Sequence, residues 1–223
     1  VFFSYLVRRQ VVAENPMRDI PLYKRRYFVP FIFGPEQIEL LLKAVSGGIE
    51  RTSERFLAGL AAHAAVTLLA RCGMRIGEPL RLRLSDCRLD EGTVYIEKTK
   101  FRKDRLVPVP KPALAHLGNY LAARRALIEN DDNPFLLAAS AKLPLRDWHV
   151  RKAFRRAVEE LGEDVPARTF GDTVFGRPTP HSLRHSFAAN TLRRAADNGI
   201  NPQRILPVLS AYMGHCRYEY TAA

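Results

Sequence analysis

Three groups of polar residues stand among apolar neighbours, and their side chains are of the kinds that handle phosphate. The first is Arg75 with Glu78 in "CGMRIGEPLRLRLSD". Arg75 lies between Met74 and Ile76, and Glu78 follows three residues on, within reach across one helical turn. A structural ion pair would give the same pattern. The second group is Lys98, Lys100, Arg102, Lys103 and Arg105 in "KTKFRKDRLVPVP". On charge alone that run reads as a solvated basic turn. The third is "HSLRHSFAANTL", where His181, Arg184 and His185 fall at i, i+3 and i+4 and share one helix face. His215 in "MGHC" adds an imidazole at a helix end, where capping or packing would also account for it.

Together these residues describe one task. Guanidinium groups meet two phosphate oxygens with planar, bidentate donors. They also neutralise charge that builds on those oxygens in a transition state. A lysine on a hairpin can protonate a departing alkoxide, and an imidazole can take or give a proton near neutral pH. His181 and His185 have a zinc-ligand spacing. Against zinc, Arg184 would set a cation beside the metal, and no Glu stands in the HExxH position. The set reads as a site for one phosphodiester that uses neither metal nor cofactor. It contains no nucleophile.

The elements that must position these residues can be read from periodicity. Residues 2–14 have a helical stripe, and "NPMRDIPLYKRR" then breaks it with Pro16 and Pro21 as a linker. A lone helix ahead of a linker cannot fold alone, so it reads as the last helix of an earlier domain. The main domain starts near Gly34-Pro35, with Pro35 at the first position of a helix whose inner face is Ile38, Leu41, Leu42 and Val45. An apolar helix over 53–71 is interrupted by His63 and bounded by Arg55 and Arg71, which suits a buried helix rather than a membrane span. Gly73 ends it, and a second short helix is expected from Ile76. Near Val94 and Ile96 the period becomes two, and turns at 90–92 and 100–103 give three antiparallel strands. Helices follow near 111–130, 146–161, 181–198 and 202–213. The expected fold class is α+β, mainly α, with a small three-stranded antiparallel sheet at one edge.

Composition narrows the partner. Lys and Arg number 35 against 23 Asp and Glu, a net charge of +12. A polyanion such as nucleic acid accounts for that excess, although an ordinary basic protein also fits. Arg151, Arg155 and Arg156 on the 146–161 helix are candidates for DNA contact, or a solvated helix face. The three cysteines lack a CxxC spacing, which argues against a disulfide framework or structural zinc and for a reducing cytosol. No cleavable signal pattern is present.

The motifs resemble those of the tyrosine recombinase (phage integrase) family over residues 33–223. "GMRIGEPLRLRLSD" is similar to its first box, "TKFRKDRLVPVP" to its lysine hairpin, "HSLRHSFAANTL" to its second box, and "LSAYMGH" to its Leu-Gly-His, with Met213 for the Leu. The intervals agree: 25 residues from Arg75 to Lys100 (100 − 75) and 31 from Arg184 to His215 (215 − 184). The resemblance implies the catalytic-domain fold over 25–223, with 1–24 as the last helix and linker of an N-terminal core-binding domain. It implies that Arg75 and Arg184 clamp the scissile phosphate. Lys100, or Lys103 instead, protonates the 5′-oxygen. His181 acts as acid and base toward a tyrosine, and His215 hydrogen-bonds the phosphate. Glu78 orients Arg75 or His181, and His185 supports the site. The family's tyrosine stands nine residues after that His, at 224 (215 + 9), one past Ala223; Tyr218 and Tyr220 lie too close to His215. The implied partner is double-stranded DNA, bound by a homotetramer of the full-length protein in the cytoplasm at the nucleoid, with no membrane. This chain alone is expected to be monomeric and inactive in cleavage. A non-cleaving DNA-binding relative and a type IB topoisomerase are the alternatives.

Overall fold

A computed structural model describes residues 2–20, 26–97 and 104–214, with the backbone alone for Ser53 and Glu54. Lys98, Lys100, Arg102, Lys103 and His215 lie outside the described residues, as do Tyr218 and Tyr220.

The fold is organised around one alanine-rich helix. In chain order the helices are α1 (Phe2–Arg8), α2 (Pro35–Gly47), α3 (Ser53–Cys72), α4 (Lys111–Leu127), α5 (Asp147–Glu160), α6 (Pro180–Asp197) and α7 (Pro202–Met213). Helix α3 packs against α2, α4, α5 and α6. It is apolar nearly all round, so it belongs at the centre. Ala61, Ala62, Ala64 and Ala65 are buried and let neighbouring helices approach closely, while Leu68 and Leu69 fill the space between them. By length and composition α3 would suit a bilayer, but 61% of its apolar window is buried against the other helices. Around it, α2 buries Ile38, Leu41, Leu42 and Val45, the face expected from the sequence. Helix α5 buries Val150, Phe154, Ala157 and Val158 and turns its arginines outward.

The predicted sheet is present. Its strands β2 (Cys87–Arg88), β3 (Thr93–Ile96) and β4 (Arg105–Pro108) are antiparallel, with Val94 opposite Val107 and Ile96 opposite Arg105. Val94, Ile96 and Val107 face the core, while Tyr95 and Leu106 face solvent.

Three features differ from expectation. Helix α1 stops at Arg8 rather than reaching residue 14, and Gln10 follows in a left-handed conformation (φ 55°) that no helix continues through. Residues 76–81 form turns and not a helix. Pro79 lacks an N–H and pushes Glu78 out of helical geometry, so the segment closes instead through Glu78 N–H to Arg75 O (2.8 Å) and Arg81 N–H to Glu78 O (3.1 Å). There is also a second sheet of β1 (Tyr27–Val29), β5 (Arg168–Phe170) and β6 (Thr173–Phe175), in which β1 runs parallel to β6. The β5–β6 hairpin turns on Gly171-Asp172, with Gly171 at φ 57°.

Two anchors join this frame to α6. The Phe33 N–H donates to Ser186 Oγ (2.8 Å), and Asn190 Nδ2 donates to Phe33 O (3.0 Å), so the chain leading into α2 is tied along α6. At the C-terminal end of α3, Gly73 caps the helix at φ 59°. A Cβ there would lie 2.5 Å from Phe187 Cδ1 on α6. Gly73→Ala combines a left-handed non-glycine residue with overpacking and is expected to cost roughly 2–4 kcal/mol. Urea unfolding measures it, and a loss below about 0.5 kcal/mol would show that the α3–α6 contact yields freely.

Candidate functional site

The segment after α3 builds the first part of the site. Arg75 stands two residues past the Gly73 cap, and its turn is closed in both directions. Glu78 N–H donates to Arg75 O, and Arg75 N–H donates to Glu78 Oε2 (2.8 Å). Arg75 Nη1 also donates to Glu78 Oε1 (3.2 Å). The i, i+3 pair expected from the sequence is therefore real, though it sits on a turn.

Glu78 has a second partner that charge alone did not indicate. Arg105 forks onto both of its oxygens, Nη1 to Oε1 at 3.0 Å and Nη2 to Oε2 at 2.8 Å. Arg105 was expected among the solvated or DNA-facing cations of the hairpin. Its side chain is instead only 10% exposed and turned inward. The signal was available: Arg105 has the same parity as Val107 and Val109, both buried. Burial pushes the Glu78 pKa up, but the bonds and charge of Arg105, the Arg75 N–H and the charge of Arg184 outweigh it, and the net shift is downward.

Helix α6 brings in the second part. Arg184 lies in its second turn and is almost fully buried. Its Nη1 donates to Gly73 O (2.6 Å) and its Nη2 to Met213 O (2.5 Å). Arg75 Nη2 donates to Gly214 O (3.3 Å). The two arginines thus hold consecutive carbonyls at the end of α7, the residues that lead to His215. Burial, with Arg75 nearby, pushes the Arg184 pKa down to about 9, so it remains a cation at neutral pH. Arg75, Arg105 and Arg184 against Glu78 leave a net charge of +2 (3 − 1) in one small volume. Among the described residues, the cations around Glu78 outnumber the carboxylates.

His181 opens α6 with its ring partly in solvent, edge-on to His185 at 4.6 Å between centroids. The packed surroundings, then His185, Arg184 and Arg75, push its pKa down to about 4. Tyr212 is a described tyrosine close to this cluster, but its hydroxyl donates to Cys72 O (3.2 Å) and burial raises its pKa. It is a strut between α7 and α3, not an attacking group.

The outer cations of α5 divide. Arg151 pairs with Asp147 (2.8 Å) and Arg155 approaches Glu159 (3.7 Å), both largely exposed. Arg156 instead folds over Gly48, where a Cβ would lie 1.5 Å from its Nη2. A cleft of about 490 Å³ runs between α5 and residues 177–180, lined by Trp148, Arg151, Lys152, Arg155 and Arg177, and reaches the start of α6. Sequence reasoning missed Lys152 and Arg177 as members of this basic face.

The His181 ring is expected to titrate near pH 4 in an NMR titration, not near 6.5. The sign for stability follows. Between those values the unfolded chain takes up the proton and the folded chain does not, so stability falls as pH drops from 6.5 to 4. His63, half-buried on α3 and also pushed down to about 4, adds a loss of the same sign. His181→Asn and His63→Gln should each flatten that part of the pH–stability curve. An unchanged slope in both would show that the rings are charged in the fold.

Comparison with known proteins places these features. The phage integrase family matches residues 33–222. The integrase/recombinase y4rE of Sinorhizobium fredii is 32% identical over 99% of this chain and 67% of its own length. Tyrosine recombinase XerC of Alcanivorax borkumensis is 31% identical over 88% of this chain and 58% of its own. Among solved structures, the XerH site-specific recombinase bound to its difH substrate superposes with a TM-score of 0.68 at 21% identity, covering 98% of this chain and 56% of that one. The chain thus spans between about half and two thirds of the length of these proteins. With that fold, and a match running from residue 33 to residue 222, this chain belongs to the phage integrase family and carries its tyrosine recombinase catalytic domain.

Proposed function

We propose that this chain is the catalytic domain of a site-specific DNA recombinase, cleaving and rejoining double-stranded DNA through a 3′-phosphotyrosyl link. One observation carries the reading. Residues from three distant stretches, Arg75, Arg184 and the Met213–Gly214 carbonyls, meet near one buried carboxylate, Glu78, with positive charge in excess among the described residues. Such a place suits a phosphodiester, whose equatorial oxygens gain charge as a nucleophile adds.

The roles follow from position and family resemblance. Arg75 and Arg184 neutralise the scissile phosphate. The tyrosine nine residues beyond His215 adds its oxygen to phosphorus, and the 5′-oxygen leaves with a proton from Lys100 or, in its place, Lys103. His181 takes the tyrosine proton, with His185 packed against it, and His215 donates to the phosphate. A 5′-hydroxyl from a partner strand then displaces the tyrosine. The covalent link holds the bond energy between the two steps. DNA lies along the α5 face, with Arg151, Arg155, Lys152 and Arg177 on its phosphates and Arg156 further round. In this reading residues 1–24 end an N-terminal domain that closes on the duplex. Four full-length copies assemble on DNA in the cytoplasm, at the nucleoid.

Three measurements test this. Binding of a short random duplex is expected to weaken steeply with salt, and Arg151→Gln with Arg155→Gln to reduce the log–log slope by about two. In a longer chain carrying the tyrosine, Arg184→Ala is expected to abolish the covalent adduct on a nicked duplex while duplex affinity falls less than about tenfold. Equal loss of binding and cleavage would make Arg184 structural. A bound phosphate also offsets the cations beside His181 and raises its pKa. Duplex affinity should therefore climb as pH falls from 6.5 toward 4, with proton uptake seen by calorimetry in two buffers.

A further inference from the structure

Arg105 has no role in the chemistry above, yet it is built into the site. Strand register turns it inward beside Val107. Its fork occupies both oxygens of a carboxylate that is 2% exposed. Its Nη1 lies 3.2 Å from where a Cβ on Gly214 would stand, so it also borders the end of α7. Its Nε is buried and finds no hydrogen-bond partner among the described residues. A guanidinium buried at such cost needs a reason.

The reason lies in how Glu78 divides its bonds. The charged groups facing it are Arg105, Arg75 and Arg184. Oε1 is shared by Arg105 Nη1 at 3.0 Å and Arg75 Nη1 at 3.2 Å, while Oε2 accepts from Arg105 Nη2 and the Arg75 N–H. Arg75 is left with a single side-chain contact to the carboxylate and with 27% of its side chain exposed, where Arg105 has 10%. Remove the Arg105 fork, and both oxygens fall to Arg75. A paired, bidentate arginine presents less charge and fewer donors to an incoming anion.

We propose that Arg105 is a positioning residue for the phosphate clamp: it saturates Glu78, keeps that carboxylate from closing on Arg75, and so presents the Arg75 guanidinium to a phosphodiester. The inference rests on the phosphodiester reading above. It also makes strand β4, which follows the lysine-bearing segment, part of the same hydrogen-bonded unit as Arg75.

Dimethyl phosphate is a suitable probe for this chain, being a phosphodiester of constant charge near neutral pH. Its affinity is read from the Nε–H NMR signals of Arg75 and Arg184, with circular dichroism and thermal unfolding to report folding. Arg105→Lys keeps the charge and loses the fork. It is expected to weaken the probe about fivefold and to move the resting Arg75 signal before any probe is added. Arg105→Met is expected to weaken it about tenfold or more. Should Arg105→Met fail to fold, the lysine variant decides alone. Folded variants that bind within about twofold of the unaltered chain, with the Arg75 signal unmoved, overturn the proposal. Arg184→Ala separates the two readings. If it abolishes binding while both Arg105 variants bind normally, only the Arg105 role fails. If the unaltered chain shows no binding, the phosphodiester reading fails and takes this inference with it.

Discussion

The Glu78 carboxylate sits 2% exposed between two guanidinium groups and within the field of a third. Three such cations cannot share a low-dielectric volume unaided, because their mutual repulsion adds to the loss of water around each. One negative charge reduces that repulsion without cancelling it. The backbone does the rest: the carbonyls of Gly73, Met213 and Gly214 each accept from an arginine and bring partial negative charge with no titrating group. The buried Arg124 of α4 shows the contrast. It is fully balanced, bidentate on Asp131 and donating to the carbonyls of Asn133, Phe135 and Leu136, and it staples a loop. Among the described residues, the cluster at Glu78 has similar materials but an uneven balance, the feature on which the proposed phosphodiester site rests.

This balance depends on helices that meet at the right distance. Arg75 and Arg184 are 109 residues apart (184 − 75) and reach one another only because α3 delivers one and packs against the helix carrying the other. The alanines of α3 set that spacing. Gly73 allows the closest approach, and the stacked rings of Phe187 and Tyr212 (5.4 Å) hold α7 so that its final carbonyls face the arginines.

Much of this was legible in the sequence because it is local. The helices after residue 34 declared themselves by their apolar stripes and prolines, and β3 by its period of two. Arg75 with Glu78, and His181 with Arg184 and His185, were visible as motifs at fixed spacing. What stayed hidden was mostly non-local. Strand β1 is three residues long and pairs in parallel with a strand 146 positions later (173 − 27), so nothing in its neighbourhood marks it. The Gly171-Asp172 turn did mark the β5–β6 hairpin and went unread, because its strands are too short to stand out. Arg105 was hidden differently. Surrounded by Lys and Asp, it was grouped by charge, when the alternation of buried valines after it set its direction. The turn at 76–81 was mistaken for a helix because its i, i+3 pairing survives without one.

Phe33 has a consequence beyond packing. Its peptide is gripped on both sides by Ser186 and Asn190, which stand one turn apart on α6 and just past Arg184. The polypeptide entering α2 is therefore tied to the helix that carries Arg184, so the packing of α2 on α3 and α5 and the placing of Arg184 are not independent.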